Sequence, residues 1–450
     1  MTRADPPEVS PRDHWGERLP RRLGLWSAIA ILVGTTIGSG IFRVPATVAA
    51  LLQSPSAVIL AWVLGGIITL LGALTIAELA SALPRSGGIF AYLLEGFGPL
   101  PAFLLGWSEM VVIRPAALGG IATIFAEYLG YFTPLDGNEV RYVAAAAIVV
   151  VGIINALGVQ RAALLMNVMT FVKFAALAAL AVLAFTAGEG SASHFAPTGA
   201  DINLSLLATA MIPILWTYDG WANLSFVSGE VKDPQRTLPT ALILGTLGIV
   251  AVYLFANLAF AYLVPLPEMA QSHLIAATAA ERIPLFGGYG AAIIAAVVMV
   301  STFSGVHGSM MTGPRVVFAM AEQGLFFRGI ARVSPRFQTP SVAIALATVL
   351  GVIYVLQNSF AQLADKFILG IWPFYALAVA AVFVLRKKRP DLPRPYLTWG
   401  YPVVPALFLL ASVGMVLNAL WTSPVNTGIT FGIILSGVPI YFLWRRFARG

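Results

Sequence analysis

About twelve apolar runs, each long enough to cross a bilayer, leave this chain few ways to fold. A hydrocarbon core is spanned by roughly 20 apolar residues in a helix. The 450-residue sequence supplies such runs at approximately 24–51, 56–83, 99–130, 141–158, 163–187, 204–229, 238–264, 288–320, 340–357, 364–385, 403–421 and 428–444. Lipid offers no water to backbone N–H and C=O groups, so each run must satisfy them within its own helix. The expectation is an all-α polytopic membrane protein with about twelve transmembrane helices. With 58% hydrophobic and 10% charged residues, the connections leave no room for a separate soluble domain.

The net charge of +7 does not point to nucleic acid, because the basic residues fall in alternate connections. One set of loops holds Arg12, Arg18, Arg21, Arg22, Arg85, Arg161, Lys232, Arg236, Arg328, Arg332, Arg336, the run Arg386-Lys387-Lys388-Arg389, Arg445, Arg446 and Arg449. The other set holds only Arg141, Arg282 and Lys366, beside Asp136, Glu139, Glu189, Asp201, Glu268 and Glu281. Positive charge concentrates on the cytoplasmic side, which puts both termini there and implies an even number of spans. Met1 to Arg22 lacks the short apolar core of a cleaved signal and is expected to be a disordered cytoplasmic tail. The chain has no cysteine, which excludes disulfides, thiol catalysis and cysteine-ligated metal.

Two runs are interrupted where interruption is costly. The first contains Gly34-Thr35-Thr36-Ile37-Gly38-Ser39-Gly40-Ile41-Phe42, and the sixth contains Trp216-Thr217-Tyr218-Asp219-Gly220-Trp221 with Pro213 one turn earlier. Freed backbone groups survive at membrane depth only where they line a protected cavity. Each interrupted run is followed by four others before the final pair. That order predicts two five-helix repeats, residues 23–187 and 204–385, the second inverted relative to the first, followed by a loop and two peripheral helices over 386–450. Matched broken helices in inverted halves mark a transporter site.

A broken helix offers N–H groups at the start of its second half and carbonyls at the end of its first, which attract anions and cations respectively. A free amino acid carries both charges on one carbon. Its carboxylate is expected at Ser39 and the N–H groups around Gly38, Gly40 and Ile41. Its ammonium is expected at carbonyls near Thr36, Trp216, Thr217 and Asp219, with Ile37 inside the same unwound stretch. Lys173 lies deep in the fifth run, where a charge is a functional hypothesis by default. Its ammonium would stand in for a coupling sodium and tie the first span to Ser301, Thr302 or Ser304. Asp219 caps the lower half of the sixth span or touches substrate. Arg43 attracts an anionic substrate side chain or pairs with an acid in an outer gate, and the second role is expected. Trp216 and Trp221 flank the second break, one of them a candidate lid. Glu78, Glu109 and Arg114 are expected to be structural, and His307 to be either a packing residue or a titrating group. Side-chain selectivity is assigned to Thr36, Asn223, His307 and Tyr375. Neither a phosphate-binding loop nor a metalloprotease or hydrolase signature is present, so an enzyme is not expected. No metal site or cofactor is expected.

In combination, these motifs resemble the amino acid, polyamine and organocation superfamily, and more closely the L-type amino acid transporter family. The matching stretches are Gly34 to Phe42, Ala77-Glu78-Leu79 leading to Pro84-Arg85-Ser86-Gly87-Gly88, Gly98-Pro99-Leu100-Pro101-Ala102-Phe103, and Ile113-Arg114-Pro115. Tyr218-Asp219-Gly220-Trp221 leading to Glu230-Val231-Lys232-Asp233-Pro234, and Arg389-Pro390-Asp391-Leu392, complete the set. The resemblance implies the leucine-transporter architecture and sodium-independent amino acid exchange by alternating access. It also implies carboxylate binding by Ser39 and Gly40, an aromatic gate at Trp216 and a functional lysine at Lys173. Two departures stand out. Animal members carry a cysteine in the outer loop after the third span, whereas this chain has none, so a disulfide-linked heavy chain is excluded. Arg43 stands where a small or apolar residue is expected.

The resulting expectation is an amino acid exchanger in the plasma membrane of a bacterium, with a small-molecule substrate and lipid as its only partners. A proton-coupled symporter using Lys173, Asp219 or His307 is the alternative within transport. A sensor that binds without turnover is the alternative from another class.

Overall fold

The computed structural model describes residues 21, 23–85, 87–157, 159–196, 203–327, 329–330, 332, 334, 337 and 339–447. Most of the expected tail, together with Ser86, Asp201, Arg328, Arg336, Arg449 and the side chain of Arg161, lies outside them. Among the described residues the protein is helical, and its only extended pairing is an isolated parallel bridge between Leu23 and Val231.

The first run is two helices, α1 (Leu25–Thr36) and α2 (Val44–Leu52), separated by an unwound Ile37–Ser39 and a tight turn at Gly40–Phe42. The second run is α3 (Pro55–Ala82), and a short α4 (Ile89–Phe97) follows it. The third is α5 (Pro99–Ser108) joined through a π-turn at Glu109–Ile113 to α6 (Arg114–Leu129). Next come α7 (Gly137–Ala156) and α8 (Val159–Ala187). The sixth run is again two pieces, α9 (Leu204–Tyr218) and α10 (Asn223–Phe226). Then α11 (Pro234–Leu263), the short α12 (Leu266–Gln271) and α13 (Ile275–Glu281), α14 (Gly290–Glu322), α15 (Ser341–Gln357), α16 (Phe360–Lys388), α17 (Val403–Thr422), α18 (Pro424–Leu435) and α19 (Gly437–Phe447) complete the chain.

Eight helical segments are long and apolar enough to cross a membrane, and four shorter apolar helices fall on the first, fifth, sixth and ninth runs. The chain is therefore a multi-pass membrane protein. Where hydropathy promised only polar connections there are α4, α12 and α13, which at 9, 6 and 7 residues are too short to register as spans. The last run comprises α18 and α19, which meet at Ser436.

Local chemistry explains several of these boundaries. Asp136 caps α7 in a reciprocal box with Glu139, and Ser359 caps α16 in the same way with Gln362. Arg386, Lys387 and Lys388 occupy the last turn of α16, where the helix dipole favours cations. Arg394 folds back to donate to the carbonyls of Leu385 and Arg389, adding a second donor to each at the end of that helix. Glu78 has the structural role expected of it. Its carboxylate accepts two bonds from Arg386 (2.9 and 2.7 Å) and two from the N–H and hydroxyl of Thr398 (2.9 and 2.7 Å), joining α3 to α16 and the loop beyond.

The π-turn follows from Pro115. Proline has no N–H, so the carbonyl of Val111 loses its helical donor, and the Tyr354 hydroxyl replaces it at 2.6 Å. The Arg114 N–H instead reaches the Glu109 carbonyl, five residues back. This widened turn sets the two side chains next to each other. Among the long helices, α3 packs on α11 and α6 on α14, while α1 packs on both α11 and α14.

Candidate functional site

The two breaks lie against each other at the centre of the bundle, and glycine makes the contact possible. A Cβ on Gly40 would come 2.7 Å from the Cα of Thr217. One on Gly220 would come 2.7 Å from the carbonyl carbon of Thr35, and Gly220 also has φ +116°, which favours glycine. The Thr35 hydroxyl bonds the Gly220 carbonyl at 3.2 Å, so each break supports the other.

Around this crossing lies a cavity of about 50 Å³, lined on one side by Thr35, Thr36, Gly38, Ser39 and Gly40 and on the other by Trp216, Asp219 and Asn223. A single water takes roughly 10–15 Å³ on this measure, so the space admits several waters or a small solute. Among the described residues, nothing hydrogen-bonds the hydroxyl of Ser39. The Trp216 ring closes one wall, edge-on to Phe367 (5.0 Å) and Phe360 (5.9 Å) and backed by Gly120. Asp219 ends α9 and accepts the Tyr375 hydroxyl at 2.8 Å.

The carbonyls of the first break are clamped from outside. Thr36 accepts from the Tyr253 hydroxyl at 2.9 Å and from the Gly38 N–H at 2.8 Å. Gly38 accepts from Ser301 at 2.9 Å. Lys173, fully buried, places its ammonium 2.6 Å from the Gly34 carbonyl. The lysine thus reaches the first span directly rather than through the hydroxyls of α14. Of those, Ser301 bonds the break, Thr302 bonds its own helix at Val298, and the Ser304 hydroxyl has no partner within the described residues.

Several expected site residues lie off the cavity. The Ile37 and Ile41 side chains are fully buried in the core, and Thr217 turns its hydroxyl to the Pro213 carbonyl at 3.0 Å. Arg43 points away, paired with Glu127 at 3.0 Å and 5.5 Å from the centre of the Phe360 ring. His307 shares a hydrogen bond with Asn155 at 2.9 Å, on the α7 side of α14.

One residue assigned a structural role belongs in the wall. Arg114 lines the cavity, held by Glu109 on its own span and by the Ser309 hydroxyl of α14 at 2.7 Å. Gly313 leaves the slot in which the guanidinium lies. Ala117, Ile121, Gly305, Ser309 and Phe367 complete the lining and were not singled out from the sequence. The available signal was Arg114 itself, an ionisable group within a span. No cluster of His, Asp or Glu able to hold a metal ion occurs among the described residues.

Known proteins place this geometry. The amino acid permease family profile matches residues 23–444. The serine/threonine exchanger SteT of Bacillus subtilis is 32% identical over 426 residues, covering 94% of this chain and 97% of that protein. The b(0,+)-type amino acid transporter 1 of Homo sapiens is 30% identical, covering 100% of this chain and 93% of its own length. The human cystine/glutamate transporter is 31% identical, with 95% and 86% covered. Broken spans around a central cavity and full-length similarity to these transporters lead to one assignment: the chain belongs to the amino acid permease family, among the L-type amino acid transporters.

Proposed function

We propose that this protein is a sodium-independent amino acid exchanger, working by alternating access in the cell membrane with both termini in the cytoplasm. The observation that carries the reading is the cavity between the two breaks, lined by backbone groups and by the Ser39 hydroxyl. A zwitterion matches those groups. Its carboxylate meets Ser39 and the N–H groups near Gly40, at the start of the second half of the first span, since the Gly38 N–H is already given to the Thr36 carbonyl. Its ammonium meets the second break at Asp219 and the carbonyls near Trp216, because the Thr36 carbonyl already accepts two donors. Asn223 and Ser309 face the side chain. Trp216 is the lid, and Arg43 with Glu127 is the outer gate.

Independence from sodium fits the position of Lys173. Unwound carbonyls of broken helices bind the coupling cation in sodium-driven carriers, and here a fixed ammonium sits on one of them at 2.6 Å. The repeats at 23–187 and 204–385 move against each other around the site, and α17 to α19 stay peripheral. With no cysteine in the sequence, the protein forms no disulfide to an ancillary chain and functions without one.

Counterflow in proteoliposomes of the purified protein tests the reading. Labelled neutral amino acids should enter vesicles preloaded with unlabelled amino acid, equally with and without sodium, and should not accumulate in empty ones. Accumulation in empty vesicles driven by a proton gradient would replace exchange with symport. Binding without flux would make the protein a sensor.

A further inference from the structure

An ion pair ties each broken span to a neighbouring helix, one at either mouth of the site. Arg43, just past the first break, pairs with Glu127 on α6 at 3.0 Å, and the two side chains are 17% and 21% exposed. Glu230, at the end of the sixth span beyond α10, pairs with Arg315 on α14 at 3.4 Å, and the two side chains are 20% and 16% exposed. The first and sixth spans are five apart in order, as are the third and eighth, and α6 packs directly on α14. Each pair thus joins a broken span to the span two places after it, the first to the third and the sixth to the eighth, with the charges exchanged.

The surroundings of each pair join it to a moving part. Beside Glu230, the Leu23 N–H bonds the Glu230 carbonyl at 2.9 Å and the Lys232 N–H bonds the Leu23 carbonyl at 2.8 Å, so the start of α1 is sewn to this segment. The Gly87 N–H bonds the Phe226 carbonyl at 3.0 Å, and the Ser228 hydroxyl bonds the Arg85 carbonyl at 2.7 Å. At the other mouth, Arg43 lies against Phe360, which meets the Trp216 lid edge-on, while the Tyr128 hydroxyl of α6 holds the Phe42 carbonyl at 2.8 Å.

We propose that Glu230 and Arg315 form the inner counterpart of the Arg43–Glu127 gate: two charge locks, one at each mouth, that are broken in alternation as the site opens to one side and then the other. Both are closed in this structure. The inference rests on the alternating-access reading and adds its inner positioning residues. Freeing Glu230 from α14 releases α10 and the start of α1 together, because the backbone bridge joins them. Freeing Arg43 from α6 releases α2 and loosens the lid through Phe360.

The absence of cysteine in the sequence gives a clean background for the test. A single reporter, Ala117→Cys in the cavity wall, is challenged in sealed vesicles of each orientation with a membrane-impermeant cationic methanethiosulfonate. Adding Glu230→Gln should raise labelling from the cytoplasmic face and lower it from the outside by about five-fold, the ratio expected when a partly exposed pair holding one state is lost. Adding Glu127→Gln should do the reverse. The exchanged pair Glu230→Arg with Arg315→Glu should restore the original ratio, which a merely structural defect would not permit. If a neutral variant fails to reach the membrane, Glu230→Asp and Arg43→Lys should give the same signs at smaller size. Unchanged labelling, or shifts of the same sign for both locks, would overturn the proposal. Labelling requires no turnover. Failure of amino acid counterflow alone would count against the transport reading, whereas counterflow without opposed shifts would remove the locks and leave that reading standing.

Discussion

The two breaks are built by different means. The first, between α1 and α2, is held by side chains from elsewhere: Lys173 on Gly34, Tyr253 on Thr36, Ser301 on Gly38 and Tyr128 on Phe42. These donors occupy four of its carbonyls, while Ser39 and Gly40 border the cavity. The second, between α9 and α10, rests on close packing at Gly220, on aromatic contacts of Trp216 and Trp221, and on two side-chain bonds, Thr35 to the Gly220 carbonyl and Tyr375 to Asp219. Asp219 brings a carboxylate to the cavity wall. The cavity thus has a hydroxyl, Ser39, at the first break and a carboxylate, Asp219, at the second, a pairing that suits the carboxylate and ammonium of an amino acid backbone.

Substitutions can break that contrast. The largest effect is expected at Gly220→Ala, where a Cβ meets Thr35 and Thr36 and the backbone angle disfavours any side chain. Uptake should fall to background in membrane-inserted protein, and near-normal uptake would mean that the breaks do not need this contact. Lys173→Met should follow. It leaves a buried carbonyl without a charge-assisted donor, a loss of about 3 kcal/mol or roughly 100-fold in maximal uptake. A sodium-dependent rescue would sharpen the contrast by showing that a cation can replace the ammonium. Ser39→Ala should raise KM about ten-fold with little change in maximal rate, as loss of a hydrogen bond to a charged ligand predicts. An unaltered KM would place the carboxylate elsewhere. The smallest effect is expected from Tyr375→Phe, about five-fold in KM, since Asp219 loses one neutral donor. An effect as large as that of Lys173→Met would make the second break as dependent on side-chain support as the first.

Much of this was legible in the sequence because the bilayer simplifies the problem. Run length placed the spans, and three glycines with three hydroxyl residues between Gly34 and Gly40, in the middle of the first run, marked the break that the structure shows at Ile37–Ser39. Lys173 was visible as a charge too deep to snorkel easily. Three-dimensional placement was not legible. Whether Ile37, Ile41 and Thr217 face a cavity depends on how two irregular segments cross, which no period encodes. Arg114 was expected to be structural, and it does pair with Glu109, yet the π-turn at Pro115 and the slot at Gly313 also bring it to the cavity wall. The acid facing Arg43 lies on another span, so the sequence could call for a partner without naming Glu127.

The central claim is that an amino acid binds between the breaks with its carboxylate on the first and its ammonium on the second. A cryo-EM structure of the protein saturated with the amino acid most active in counterflow tests it directly. The account predicts ligand density in the cavity, with the carboxylate within hydrogen-bond distance of Ser39 Oγ and the Gly40 N–H and the ammonium beside Asp219. A ligand carboxylate seated instead on Arg114, or density outside the crossing of the two breaks, would contradict it.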